Sequence, residues 1–272
     1  MNEGRPVRAA RSLATLDDVE SGDHVCQFLE PAENIVEYSR AFVADGVLFG
    51  DKLVIVGTDD RPAPEIAGAP ARVVLDPARL DGSALLAAVR REAASAGREG
   101  FRALRVLRHV TADHRDDGRR ETMLQSELDL EEFAADSGAM VLCTYQPADW
   151  DPPTLDQVRC VHPHHVGSRP AAPEFRVYTT GEGRWTVSGV IDSEGAPAFG
   201  AVLRGLVAHA ATLRLICHDL EFFDAAGMRA LADAARCLPE RVVIIEGANE
   251  TVRLSWGLSG YAVPEVPVVM VP

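Results

Sequence analysis

Two kinds of apolar pattern alternate along the first half of the chain. Short continuous runs such as Lys52–Gly57 (KLVIVG) and Ala139–Tyr145 (AMVLCTY) lack polar alternation, as expected of strands buried on both faces. His24–Leu29, Arg72–Leu75 and Ala103–Leu107 read as further strands. Between them lie stretches with apolar residues three and four apart, the spacing of one helical face. Glu33–Phe49 carries Ile35, Val36, Ala41, Phe42, Val43 and Val47 ahead of a stop at Gly50. Ser83–Ala96 is alanine-rich, and Arg119–Ala135 carries Met123, Leu124, Leu128, Leu130 and Phe133. Strands separated by helices need crossovers, so the pattern predicts an α/β domain with a mainly parallel sheet.

A second patterned region follows Val166-Gly-Ser-Arg-Pro-Ala-Ala-Pro173, a Pro- and Gly-rich linker. Phe175–Thr180 and Trp185–Ile191 read as strands, and Ala196–Ala210 as a helix with Phe199, Leu203, Leu206 and Val207 on one face. Thr212–Cys217 is a buried strand, and Asp224 caps a helix carrying Met228, Leu231 and Ala235. A strand at Val242–Ile245, a short helix at Glu250–Gly257 and a closing strand at Val266–Val271 complete it. The expected organisation is a disordered arm over 1–16, a larger domain over 17–168, a linker over 169–173 and a smaller α/β domain over 174–272.

Length and composition agree with two cores, since the chain has 272 residues of which 47% are hydrophobic. No run approaches the roughly 18 apolar residues of a membrane helix. The first twenty residues mix Arg, Asp and Glu without the apolar stretch of a secretory signal. Together these point to the cytoplasm. The net charge of −14, spread over both halves, excludes nucleic acid and anionic lipid as main partners. The five cysteines are odd in number and form no CxxC pair, so buried free thiols are expected.

Candidate chemistry gathers on two strands. His24, Cys26 and Phe28 on one, and Cys143 and Tyr145 on the other, would meet at the carboxyl edge of the sheet, where open α/β sheets take ligands. His162 follows shortly after, and the six together are candidate ligand-binding residues. A metal reading weighs His24 with Cys26, one residue apart on a strand face, and the cluster Cys160, His162, His164 and His165. No pair has finger-type spacing, and His164 and His165 beside Pro and Gly suggest an exposed turn, so no metal and no cofactor is assigned. A Cys143–His162 nucleophile pair is disfavoured because an apolar run suppresses the thiolate. Asp59–Asp60, Asp116–Asp117 and Glu131–Glu132 are read as solvated surface, and there is no G-x-S-x-G. No catalytic residue is assigned.

The second region carries Trp185-Thr-Val-Ser-Gly-Val-Ile-Asp192, then a helix, a buried strand and Phe223-Asp-Ala-Ala-Gly-Met228. Over about a hundred residues it resembles the STAS domain, the family of the anti-sigma-factor antagonists. The resemblance implies contact with an anti-sigma factor, a histidine-kinase-like ATPase or another STAS protein through Ile191, Asp192, Asp224, Ala225, Ala226, Gly227 and Met228. In that family a Ser or Thr two positions after the Asp is phosphorylated. Here that position is Ala226, which has no hydroxyl to esterify, although a helix N-terminus there suits a phosphate.

The first region carries Gly22-Asp-His-Val-Cys-Gln-Phe28, Phe42-Val-Ala-Asp-Gly-Val-Leu-Phe-Gly50, Leu104-Arg-Val-Leu107, Glu127-Leu-Asp129, Val141-Leu-Cys-Thr-Tyr145 and Cys160-Val-His-Pro163. In order and spacing these resemble the MEDS domain, a sensory module named from methanogen and methylotroph regulators. Where the family carries an aromatic-rich stretch, this chain reads His109-Val-Thr-Ala-Asp113. The resemblance implies a RecA/KaiC-like fold, yet the segment after the first strand, Leu29-Glu-Pro-Ala-Glu-Asn34, has no Gly or Lys and two carboxylates. That is no phosphate loop. The combined expectation is a non-enzymatic regulator that senses a small, apolar ligand or a protein and signals through its second domain. The alternatives are a divergent enzyme with a docking module and an oligomerising scaffold, and homodimerisation stays open.

Overall fold

The computed structural model describes residues 9–30, 35–57, 73–76, 80, 82–111, 119–167, 173–181, 183–237 and 240–271. These fall into two compact units: Arg11–Asp151 with His164–Ala172, and Met1–Ala10 with Pro152–Pro163 and Pro173–Pro272.

The strands of the first unit are β1 (Arg11–Leu13), β2 (His24–Phe28), β3 (Lys52–Val56), β4 (Val73–Leu75), β5 (Leu104–Val110), β6 (Met140–Tyr145) and β7 (His164–Val166). Among the described residues they form one seven-stranded sheet in the order β1-β7-β2-β6-β5-β3-β4, every neighbouring pair parallel. The helices α1 (Ile35–Tyr38), α2 (Arg40–Phe49), α3 (Gly82–Arg98) and α4 (Arg119–Ser137) supply crossovers. The continuous apolar runs are fully buried, as their lack of alternation requires: all residues of β3 and β6 are inside.

One face of this sheet is an apolar core. Val25, Leu53, Ile55, Leu107, Met140 and Leu142 pack with Phe42 and Val43 of α2 and with Leu13, Leu16 and Val19. Asp51 anchors its edge. Its carboxylate accepts two bonds from Arg102 and one from Arg105, each 2.8 Å, and Arg105 also donates to Phe42 O at 3.2 Å. Burial pushes the Asp51 carboxyl up, but the two guanidinium groups outweigh it and hold it below its ordinary value. The chain's single lysine, Lys52, is buried and anchored by Glu99 at 2.7 Å and Glu92 at 2.9 Å.

Three local expectations are corrected. The arm over 1–16 includes an ordered edge strand, since Arg11–Leu13 pair with β7. His164 and His165 form β7 and not an exposed turn. His164 is buried, with Nε2 3.0 Å from Asp23 Oδ1, and Ser12 Oγ stands 3.0 Å from His165 Nε2. The predicted helix over Glu33–Phe49 divides at Ser39 into α1 and α2, with Glu33 and Asn34 outside the described residues. Its stop at Gly50 holds, with φ 73° in the left-handed region.

The second unit contains α5 (Pro152–Val161), β8 (Phe175–Gly181), β9 (Arg184–Ile191), α6 (Ala196–His209), β10 (Thr212–Ile216), β11 (Leu220–Phe223), α7 (Ala225–Arg236), β12 (Val242–Glu246), α8 (Glu250–Leu258) and β13 (Val268–Val271). The parallel order is β11-β9-β10-β12-β13, with β8 added antiparallel to β9. Helix α5, which no strand or helix assignment anticipated, belongs to this unit and not to the larger sheet. Phe175, Phe199 and Phe223 stack edge to face at 5.9 and 5.7 Å in its core. Gly189 in β9 has φ +89°, and a Cβ there would stand 2.1 Å from Glu174 O.

Two outcomes follow from these contacts. Gly189→Ala should destabilise the second unit by about 2–3 kcal/mol, read as a lower unfolding midpoint of the full chain. Asp51→Asn should cost about 3–5 kcal/mol by leaving Arg105 buried without its anion. Because the folded pKa of Asp51 is depressed, its contribution is complete above about pH 3.9 and is lost as pH falls through the lower folded value. The stability gap between wild type and Asp51→Asn, measured by denaturant titration, should therefore close on acidification.

Candidate functional site

The other face of the larger sheet is polar at its centre. Strand alternation puts His24 and Cys26 of β2 on that face, and register sets Cys26 level with Cys143 of β6 and Cys143 level with Arg108 of β5. Helix α4 covers them. Its residues Leu124, Glu127, Leu128, Glu131 and Ala134 lie three and four apart and are all buried.

Glu127 and Glu131 thus enter a cluster in which His24, Cys143 and both carboxylates are fully buried. His24 Nε2 stands 3.3 Å from Glu127 Oε2, and His24 Nδ1 3.4 Å from Glu131 Oε2. Cys143 Sγ lies 3.5 Å from His24 Nε2 and donates to Glu127 Oε2 at 3.4 Å. Arg108 pairs with Glu127 Oε1. Burial alone would lower the proton affinity of His24. Cys143, Glu127 and Glu131 overcome it and raise the imidazole well above its ordinary value. Burial also pushes the Tyr145 phenol well up, with Glu127 and Cys143 adding to it.

Glu131 is therefore not solvated surface. It is one helical turn from Glu127, on the apolar stripe that faces the sheet. The order thiol, imidazole, carboxylate imitates a nucleophile and its base, with His24 as the imidazole beside the thiol. None of the three has solvent-accessible surface.

The remaining predicted ligand residues divide. Phe28 and Tyr145 stack at 5.6 Å at the carboxyl ends of β2 and β6, with Trp150 edge-on to Tyr145 at 6.2 Å. His162 follows α5 in the second unit, where its Nδ1 stands 2.8 Å from Val158 O. The Cys160 thiol there is pushed up by burial.

Phe28 also borders a cleft of about 640 Å³ at the carboxyl ends of β2 and β7. Its walls include Thr15, Leu16, Tyr38, Ala41 and Val166, with Glu30 at the rim. Gln27, which sequence reasoning passed over, lines it too. This side chain is 6% exposed, and its Oε1 has no hydrogen-bond partner among the described residues. An uncharged amide between apolar neighbours on a strand is a weak signal in sequence alone.

In the second unit Asp224 caps α7, accepting from Gly227 N at 2.8 Å. Asp192 accepts from Glu194 N and Gly195 N at 2.9 and 3.0 Å ahead of α6. Of the predicted partner residues, Ile191, Gly227 and Met228 are buried and supply no contact surface. Gly227 is small because α7 closes on the sheet there: a Cβ would lie 2.5 Å from the Phe223 ring. Asp192, Asp224, Ala225 and Ala226 reach the surface.

An α/β module with a parallel sheet, a sealed ionic cluster on one face and a cleft at the carboxyl edge belongs to the class of folds that bind ligands at strand ends. The family profile described as MEDS, the MEthanogen/methylotroph, DcmR Sensory domain, matches residues 23–163. That is more than half of the 272 residues, and the chain belongs to this family. MEDS is a sensory domain family, which accords with a signalling or regulatory role. No curated protein matches the chain. Among the described residues no helix is long and apolar enough to cross a membrane.

The cluster makes Arg108 a test of its own electrostatics. Arg108→Met should cost about 3–5 kcal/mol by stranding the Glu127 charge, and Arg108→Lys, which keeps the cation, should cost less. Urea titration of the two variants measures both.

Proposed function

We propose that the protein is a non-enzymatic cytoplasmic regulator whose first domain binds a small ligand in the β2 cleft and whose second domain, of STAS type, binds a protein partner. The observation that carries this reading is Gln27, a buried amide oxygen without a partner among the described residues in the wall of a cleft, in a chain of a sensory family. Such an oxygen costs about 1–3 kcal/mol if nothing meets it. Apolar and aromatic residues share the cleft lining with Thr15 and Glu30, polar atoms make up about half of its surface, and its volume lies within the usual range of ligand sites. The ligand class that fits is a small molecule with an apolar part and a hydrogen-bond donor.

A parallel sheet crossed by helices supports the RecA/KaiC-like reading of this domain. The segment after β2 supports a module that has given up nucleotide: Leu29–Asn34 offers no Gly and no Lys, and its two carboxylates repel phosphate. Residues 31–34 lie outside the described ones.

The second domain is read as STAS from its parallel sheet with one antiparallel edge strand and from the capped start of α7. Its partner is an anti-sigma factor, a histidine-kinase-like ATPase or another STAS protein, and it meets Asp192, Asp224, Ala225 and Ala226. With alanine at 226 no phosphoester forms there, so control passes to the ligand-binding domain.

The full chain should gain thermal stability with short-chain alcohols or amines, and Gln27→Leu should weaken that response at least about tenfold, the loss of one buried hydrogen bond. Asp224→Lys should abolish partner capture and leave ligand affinity unchanged. Equal ligand responses in wild type and Gln27→Leu would overturn the cleft assignment.

A further inference from the structure

Three donor atoms of different chemistry converge beneath α4. His24 Nε2, Glu127 Oε2 and Cys143 Sγ form a triangle with edges of 3.3 Å from nitrogen to oxygen, 3.5 Å from sulfur to nitrogen and 3.4 Å from sulfur to oxygen. A tetrahedral zinc ion has bonds of about 2.0–2.1 Å to nitrogen and oxygen and about 2.3 Å to sulfur. Those lengths require donor separations of about 3.3 Å from nitrogen to oxygen and about 3.5 Å along both sulfur edges. The three observed edges agree with that face of a tetrahedron.

We propose that His24, Glu127 and Cys143 are three ligands of a zinc ion, the fourth corner being left to a further donor. The surroundings are those of a ligand set. Glu131 Oε2 stands 3.4 Å from His24 Nδ1, the carboxylate–histidine arrangement that fixes the tautomer and aims the other nitrogen at a metal. Arg108 holds Oε1 of Glu127, and Oε2 is the oxygen turned toward His24 and Cys143. One nitrogen, one oxygen and one sulfur donor suit zinc, whereas magnesium and calcium take oxygen alone. As the Zn–S bond forms, the Cys143 thiol gives its proton to solvent and its electron pair to the metal.

The ligands come from β2, α4 and β6, and all three are fully buried. The ion would be enclosed as the chain folds, so its removal requires unfolding. This site is separate from the cleft, which is lined by other residues, and it stands or falls independently of the cleft's ligand.

The test uses the full chain, unfolded with chelator and refolded with excess zinc. Elemental analysis should find about one zinc per chain, and X-ray absorption should find one sulfur at about 2.3 Å with nitrogen and oxygen at about 2.0 Å. Refolding with cobalt(II) should give a thiolate-to-cobalt charge-transfer band. Cys143→Ser should abolish that band, whereas Cys217→Ser should keep it. Glu131→Gln should weaken zinc 10–100-fold in competition with a chelator. Folded wild type that refolds without zinc, an absorption spectrum without sulfur, or a band that survives Cys143→Ser would each overturn the assignment. The first two need no variant, so a Cys143→Ser chain that fails to fold leaves the proposal decidable.

Discussion

Two carboxylates without contact to solvent govern the α4 side of the larger sheet. Glu127 and Glu131 are both fully buried, and an ionised carboxylate in such a place is untenable without positive charge beside it. Arg108 pairs with Glu127, and the His24 ring lies between the two carboxylates, 3.3 Å from Glu127 and 3.4 Å from Glu131. These partners sit on β5 and β2, and Cys143 sits on β6 between them, so the charges require a particular register of three strands. A slip of one residue would turn His24, Cys143 and Arg108 to the opposite face and present apolar side chains to the carboxylates. The ionic cluster therefore does for this face what shape complementarity does for the other.

That other face shows why the division works. Between β2, β3, β5, β6 and α2 the contacts are apolar, and charge is confined to the edge, where Asp51 joins Arg102 and Arg105. One layer supplies non-directional cohesion and the other supplies direction. A sheet with two apolar faces would hold together as well but would specify its register less tightly.

What the sequence made legible follows the range of each signal. The continuous runs of β3 and β6, the Gly50 stop and the Asp224 cap are local features with local causes, and each appears where its residues predict it. The strands β1 and β7 have three residues each, too few for any alternation to show. Helix α5 opens on Pro152-Pro153, which suggests a loop, although proline fits the first turn of a helix and Leu155, Val158 and Val161 keep helical spacing behind it. Glu131 was missed for a different reason. Charge is read as solvent-facing by default, and only the stripe Leu124, Leu128 and Ala134 on its own side of the helix says otherwise. The pairing of Cys143 with His24 depends on the strand order, and a sequence without that order brings His162 forward instead.

Strand β2 borders both the cleft and the cluster. Gln27 and Cys26 are consecutive, so their side chains point to opposite faces of the sheet. Gln27 lines the open cleft, while Cys26 lies level with Cys143 beside the sealed cluster. A molecule bound to Gln27 draws on the backbone that also places His24 and Cys26. On the cluster side that backbone is held by groups whose charges cannot be left apart, so it has few small displacements available. The same strand thus borders the cleft on one face and is tied to α4 through His24 on the other. Under the proposed ligand reading, this shared strand would be the element that couples a contact at Gln27 to α4.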